Sequence, residues 1–365
     1  MRARIVCLPG DGIGPEVMNE AVRVLTSVAC AFSHSFTFVE EKVGGASIEA
    51  YGAPLTQETL DVCKSADAIL FGAVGGPKWD GLVGQKRPEQ GLLLLRKELD
   101  LFANLRPCVL LPGMSDASPL KPGTVSGVDL LIVRELTGDA YFGAHHMDEE
   151  GREASDVMAY TEREVERVAR VAFRLAQKRR KSLCSVDKAN VLAVSRLWRE
   201  TVTKVSHDYP EVALRHLYAD NCAAQLVRDP GQFDVILAGN LFGDILSDVA
   251  AALTGSLGNL PSASLGTGKL GLYEPVHGSA PDIAGKDMAN PIGMILSAAM
   301  LLRQALSLSN EAECVETAVK NVLDAGWRTA DMAMPGAPRI GTGAIGKLIA
   351  EQVDMVGAVM GSLHR

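Results

Sequence analysis

Between residues 183 and 254 the chain repeats one local pattern three times: a short apolar run rich in β-formers, a polar turn, then a helical stretch. The runs are Leu183–Val186, Leu214–Tyr218 and Phe233–Ala238. Strand–turn–helix units in series demand a parallel or mixed sheet covered by helices, so the expected class is α/β. In such sheets ligand-binding groups collect beyond the carboxyl ends of the strands. Lys188, Asp220, Asp244 and Asp248 all lie at or just beyond those ends. In the third unit, FDVILAGNLFGDILSDVAAALTG, Asn240 can cap a helix over Leu241–Thr254 and Gly255 can end it in a left-handed turn. Asp244 and Asp248 are four residues apart, so their carboxylates share one helix face. Mg²⁺ or Mn²⁺ would convert that repulsion into binding, because hard cations prefer oxygen ligands. An acidic first turn favoured by the helix dipole accounts for the same pair equally well.

The 365 residues, 47% of them apolar, suffice for one large or two medium domains. A net charge of −8 argues against a nucleic-acid surface. The one basic run, Lys178–Arg179–Arg180–Lys181, closes a helical segment (Glu162–Arg180), where cations complement the dipole. Seven cysteines without a CxxC or Cys/His spacing indicate neither a disulfide framework nor a zinc site, and point to a reducing compartment, the cytoplasm. His145 and His146, adjacent on an extended segment, point opposite ways and read as surface residues. The first strand begins at Arg4, leaving no room for a signal peptide, and the longest apolar run, Met294–Leu302, is too short to span a bilayer.

The N-terminal RIVCLPGDGIGPEV reads as strand, Gly-rich turn and helix with Pro15 in its first turn. Its G-x-G-x-G-P spacing is not the G-x-G-x-x-G dinucleotide fingerprint, so a Rossmann site is rejected; a backbone turn lining a cofactor pocket stays open. Asp67–Gly72 and Asp129–Val133 are further strands, and Pro88–Asp100 is a helix carrying Glu89, Leu92, Leu93 and Arg96. Arg96, Arg106 and Arg134 at element ends offer bidentate recognition of carboxylates or phosphates, although each singly reads as a solvated arginine. Phe142–Tyr160 is polar: an exposed two-stranded arm that pairs across a dimer, or a loop. Gly255–Gly271, rich in Gly and Ser, is a candidate crossing between domains. Glu274–Pro291 is a loop that presents backbone N–H groups, and Pro291–Leu306 and Ala312–Ala325 are packing helices.

Taken together in order, GDGIGPE (Gly10–Glu16), GGPKWD, RPEQGLLLLRKELDLFANLRP, RELTG, SVDKANVL, FGDILSD, GSLG, LPSASLG, EPVHGSAPDIAG and RTADMA (Arg328–Ala333) cover nearly the whole length. In these motifs the chain resembles the isopropylmalate dehydrogenases, members of the β-decarboxylating hydroxyacid dehydrogenases. The resemblance implies a fold of two α/β domains that is not of Rossmann type. The first domain would be residues 1–102 with 256–365, the second 103–255, with a hinged cleft and an exposed arm near 142–160 at a dimer interface. It implies NAD-dependent oxidative decarboxylation of 3-isopropylmalate with Mg²⁺ or Mn²⁺, in leucine biosynthesis. Position by position, Arg96, Arg106 and Arg134 would hold the two malate carboxylates. Asp220, Asp244 and Asp248 would hold the metal. Lys188 would take the hydroxyl proton and Tyr141 would return a proton after CO₂ leaves. Lys188 and Asp220 would enter from the other subunit of a homodimer. Glu89, Leu92, Leu93 and Val191 would surround the isopropyl group and nicotinamide. Ile13, Gly75, Gly76, Asn190 and Glu274 would line the cofactor site, and the loop His277, Gly278, Ser279, Ala280, Asp282 and Asn290 would take the adenosine.

Two choices follow from chemistry. A carboxylate at Asp282 accepts hydrogen bonds from a ribose 2′-OH and repels a 2′-phosphate, favouring NAD⁺ over NADP⁺. Leu92 and Leu93 offer an apolar wall worth about 1.5–3 kcal/mol for a branched alkyl group, where a tricarboxylate would want a hydroxyl or cation. The alternatives are the same chemistry on a neighbouring diacid (a methylthioalkylmalate, tartrate or malate), a catalytically silent regulatory subunit, and a metal phosphohydrolase. The sequence departs from the family's commoner pattern at Asp139–Ala140, where Gly-Ile is more usual, at Ala144–His145–His146, and at Cys222.

Overall fold

The computed structural model describes residues 1–333, 336 and 338–363. The chain divides into two compact units, Met1–Leu99 with Leu111–Ala117 and Thr254–Arg365, and Asp100–Leu110 with Ser118–Leu253. This division differs from the expected boundaries by a few residues at the edges and by the short stretch Leu111–Ala117, which belongs to the first unit.

In the first unit Arg2–Gly10 lies between Ser35–Glu40 and Ala68–Ala73, parallel to both. Gly271–Pro275 runs parallel to Ala68–Ala73, and Pro261–Leu265 pairs antiparallel with it. All six residues of AILFGA at 68–73 are buried, as a parallel strand with both faces covered requires. Helices Gly14–Ala31 and Ile292–Gln304 pack on these strands, and Ser309–Asp324 and Thr342–Leu363 pack on those helices and on each other. The chain passes from the second unit to the first at Leu253–Thr254, at the start of the stretch 255–271 expected to cross between domains, and that stretch also holds the strand Pro261–Leu265. Ser262 and Ser264 alternate with Ala263 at buried positions, so the period-2 signal carries almost no apolar contrast.

In the second unit Ala103–Val109 pairs antiparallel with Asp129–Glu135. The order then continues, all parallel, through Val235–Ala238, Ser182–Asp187 and Ala213–Tyr218. Leu130, Ile132, Val186, Leu226, Ile236 and Leu246 meet in its core, under helices Ala219–Arg228 and Asn240–Leu253. Helix Glu162–Gln177 opens on a capping box in which Thr161 and Glu164 satisfy each other's backbone N–H. The basic run after it does more than face a dipole: Arg179 binds the carboxylates of Asp129 and buried Asp234, each at 2.8 Å. The polar stretch 142–160 does form an arm, His145–Met147 antiparallel to Ala154–Asp156, with every residue exposed. Among the described residues no helix is long and apolar enough to cross a membrane.

Candidate active site

Arg134 is next to last in the strand Asp129–Glu135, and only 2% of its surface is exposed. A buried guanidinium must find acceptors. Asn240 Oδ1 accepts from Nε at 3.0 Å and from Nη2 at 2.7 Å, and Asp244 Oδ1 accepts from Nη1. Gly243 makes this possible: a Cβ there would stand 2.7 Å from Arg134 Cγ. Arg106 joins the cluster from the middle of the strand Ala103–Val109, not from an element end as expected. It donates to Asn104 Oδ1 at 2.8 Å and to Ser247 Oγ at 2.6 Å, and its Nη1 lies 3.4 Å from Asp244 and 3.8 Å from Asp248. Tyr141 donates its hydroxyl to Asp244 Oδ2 at 2.8 Å and lies under the Arg134 guanidinium. Burial and the Asp244 carboxylate hold the Tyr141 phenol above its usual range, so it stays protonated. Burial and the neighbouring Asp244 raise the Asp248 carboxyl against the opposing pull of Arg106.

Asp244 and Asp248 thus form, with Arg106, Arg134 and Tyr141, one group at the carboxyl ends of two strands. The helix start, however, is not capped as the sequence implied. The Asn240 side chain is taken by Arg134, and the first N–H groups find Tyr160 Oη (2.8 Å, from Asn240) and Asp139 Oδ2 (3.1 Å, from Leu241). Lys188 and Asp220 pair with each other at 2.5 Å, beside the Tyr218 ring. The lysine lowers the Asp220 carboxyl. Among the described residues no three His, Cys, Asp or Glu side chains of one chain gather as a metal set. Asp244 and Asp248 have the hard-oxygen chemistry of a Mg²⁺ or Mn²⁺ site and the mutual repulsion a cation relieves, but supply two donors of the three expected.

The remaining expected residues lie in the first unit, apart from Asn190 and Val191, which are exposed just past Lys188. Arg96 closes the helix Glu89–Glu98 and is buried against Glu274, 2.9 Å from Nη2 to Oε1. Among the described residues its Nε has no hydrogen-bond partner, a buried donor suited to an anion. Leu92 and Leu93 are half-buried beside it, and Glu89 faces the Gly75 turn. Ile13 N donates to Ser279 O at 2.8 Å, so the N-terminal turn is stitched to the 277–290 loop. Gly12, at φ +58, is pressed so closely that a Cβ would stand 2.0 Å from Ser279 O. Within that loop burial lowers the His277 pKa, and its Nε2 has no hydrogen-bond partner among the described residues. That orphaned imidazole nitrogen suits the polar edge of an adenine ring, while Gly278 and Asp282 stand exposed. Asn290 is otherwise engaged: its amide donates to Asn259 and Asp331 and accepts from Ile292 N, fastening the start of a helix.

The sequence reading missed Asp11, whose buried carboxylate accepts from Gly45, Ala46 and Gly75 N–H at 2.8 Å each and so fixes the Gly75–Gly76 turn. It also missed Asn104 and Ser247, the supports of Arg106. A polar residue alternating into a core strand is the one signal Asn104 gave.

The profile of the family described as Isocitrate/isopropylmalate dehydrogenase matches residues 4–349. The chain belongs to that family. The 3-isopropylmalate dehydrogenase of Oleidesulfovibrio alaskensis is 56% identical over 97% of this chain and 100% of its own length. That of Saccharophagus degradans is 54% identical over 97% and 100%. Among solved structures, isocitrate dehydrogenase from Methylococcus capsulatus superposes with a TM-score of 0.87 at 35% identity, covering 96% of this chain and 99% of its own. As a member of the isocitrate/isopropylmalate dehydrogenase family the chain is a decarboxylating oxidoreductase fold carrying arginines, aspartates and a tyrosine in one cluster.

Proposed function

We propose that the protein catalyses the NAD-dependent oxidative decarboxylation of 3-isopropylmalate to 4-methyl-2-oxopentanoate and CO₂ in leucine biosynthesis, as a cytoplasmic homodimer using Mg²⁺ or Mn²⁺. The observation that carries this reading is the convergence of Arg106, Arg134, Tyr141, Asp244 and Asp248, in a chain whose end-to-end relatives bear that enzyme's name.

Arg106, from the middle of its strand, and Arg134, next to last in its own, keep fixed, buried positive charge side by side, so a substrate diacid meets donors already in place. In the first unit Arg96, whose Nε lacks a partner among the described residues, is a further guanidinium suited to a carboxylate. Leu92 and Leu93 remain half-buried and shed water when an isopropyl group covers them. The chemistry supplied there would be polarisation of the substrate C2 oxygen by a divalent cation and acceptance of a hydride by NAD⁺. Asp244 and Asp248 would hold that cation, with Asp220 of the partner subunit as the third carboxylate. Lys188 of the partner subunit takes the hydroxyl proton, directly or through water. Tyr141, protonated at physiological pH, gives a proton to the carbon that has lost CO₂. The 277–290 loop and the Gly12 turn receive the adenosine, with the exposed Asp282 selecting against a 2′-phosphate.

The test is a steady-state panel with Mn²⁺: 3-isopropylmalate, malate, tartrate, a methylthioalkylmalate and isocitrate, each with NAD⁺ and NADP⁺. The reading expects the highest kcat/KM for 3-isopropylmalate with NAD⁺. Another diacid winning by about tenfold, some 1.4 kcal/mol, would reassign the substrate.

A further inference from the structure

Asp139 stands in the left-handed region at φ +71, a conformation that ordinarily selects glycine, and is 1% exposed. The fold keeps a charged side chain there, and its polar atoms tie three pieces of the site together. Its N–H donates to Ala159 O at 2.9 Å, at the base of the arm. Its C=O accepts from Phe142 N (3.3 Å) and Gly143 N (3.0 Å), closing the turn that presents Tyr141. Its Oδ1 accepts from Ala140 N at 2.7 Å, and its Oδ2 accepts from Leu241 N at 3.1 Å and Tyr160 Oη at 3.5 Å. The Leu241 bond is the side-chain cap of the helix Asn240–Leu253, on which Asp244 and Asp248 sit one and two turns further on. Asn240 cannot do this work, since Arg134 occupies its side-chain oxygen. The Tyr141–Asp244 hydrogen bond therefore spans two segments that Asp139 holds in register.

We propose that Asp139 is a positioning residue: its carboxylate locks the Tyr141 turn to the start of the helix bearing Asp244 and Asp248, and so sets the geometry in which those carboxylates take a divalent cation. The metal half of this inference rests on the function proposed above; the anchoring half does not. The informative variants are Asp139→Gly, which keeps the favoured backbone conformation and removes the cap, and Asp139→Asn, which keeps an oxygen acceptor at the same place. Amide hydrogen exchange reads the anchoring directly, without metal. Peptides covering 240–244 are expected to exchange about tenfold faster in Asp139→Gly and near the parental rate in Asp139→Asn. Mn²⁺ binding followed by electron paramagnetic resonance is expected to weaken about tenfold or more in Asp139→Gly and to recover in Asp139→Asn. Parental exchange in Asp139→Gly would overturn the anchoring. Faster exchange with Mn²⁺ affinity unchanged would reduce Asp139 to a stability role and overturn the positioning. A parent that binds no Mn²⁺ would defeat the metal assignment of the active site, while the exchange comparison still decides whether Asp139 anchors the helix.

Discussion

Arg134 puts a full charge where almost no water reaches, and its surroundings show what that requires. Asn240 and Asp244 accept from it, and Gly243 leaves room for its stem. Gly243→Ala is expected to displace the guanidinium and lower kcat/KM by about a hundredfold, since small misplacement of a binding group is costly; a circular-dichroism spectrum like the parent's would assign the loss to the site. Tyr141→Phe keeps the ring under Arg134 but removes the proton donor, and kcat is expected to fall by about a hundredfold or more, with substrate KM little changed. Of all this, the sequence showed the residue types and their place beyond strand ends. It did not show that Asn240 serves Arg134 instead of capping its own helix, because a side-chain oxygen at a helix start has two uses and only the neighbour decides between them. His216 illustrates a different residue-scale effect: burial and Arg199 depress its pKa below the usual 6.5. A depressed histidine adds stability that is complete above the unfolded pKa and is lost as pH falls through the folded one. His216→Gln is thus expected to narrow the stability gap between pH 7 and pH 5 measured by urea unfolding.

Elements were legible where apolar contrast was strong. The strand at 235–238 and the helix after it follow directly from VILA and the spacing of Leu246, Ala250 and Leu253. Pro261–Leu265 escaped because its alternate side chains are serine, and Arg106 was placed at an element end because the proline after it hides a strand that continues to Val109. The close packing of the short turn 10–14 on Ser279 follows from glycine at position 12. Gly12→Ala is expected to push that turn off the 277–290 loop and raise the KM for NAD⁺ by about tenfold, with less effect on the diacid. An equal rise in both KM values would indicate a general loss of structure.

At the scale of the whole molecule, one chain pairs Lys188 with Asp220, and among the described residues no third acidic, histidine or cysteine side chain joins Asp244 and Asp248 in a metal set. The shared site proposed above would resolve this. Lys188→Ala and Asp244→Asn homodimers should each be nearly inactive, whereas mixing them through dissociation and reassembly should restore about a quarter of parental activity. Half of the reassorted dimers carry both defects on different chains, and each of those holds one complete site of two. No recovery in heterodimers verified by mass would place Lys188 within its own chain's site.

The reaction itself is tested by following NADH and CO₂ together with 3-isopropylmalate, NAD⁺ and Mn²⁺, in the parent and in Asp244→Asn, with and without chelator. The account predicts equal amounts of both products in the parent, none after chelation, and loss by orders of magnitude in Asp244→Asn. NADH formed without CO₂, or turnover that persists without a divalent ion or without the Asp244 carboxylate, would contradict it.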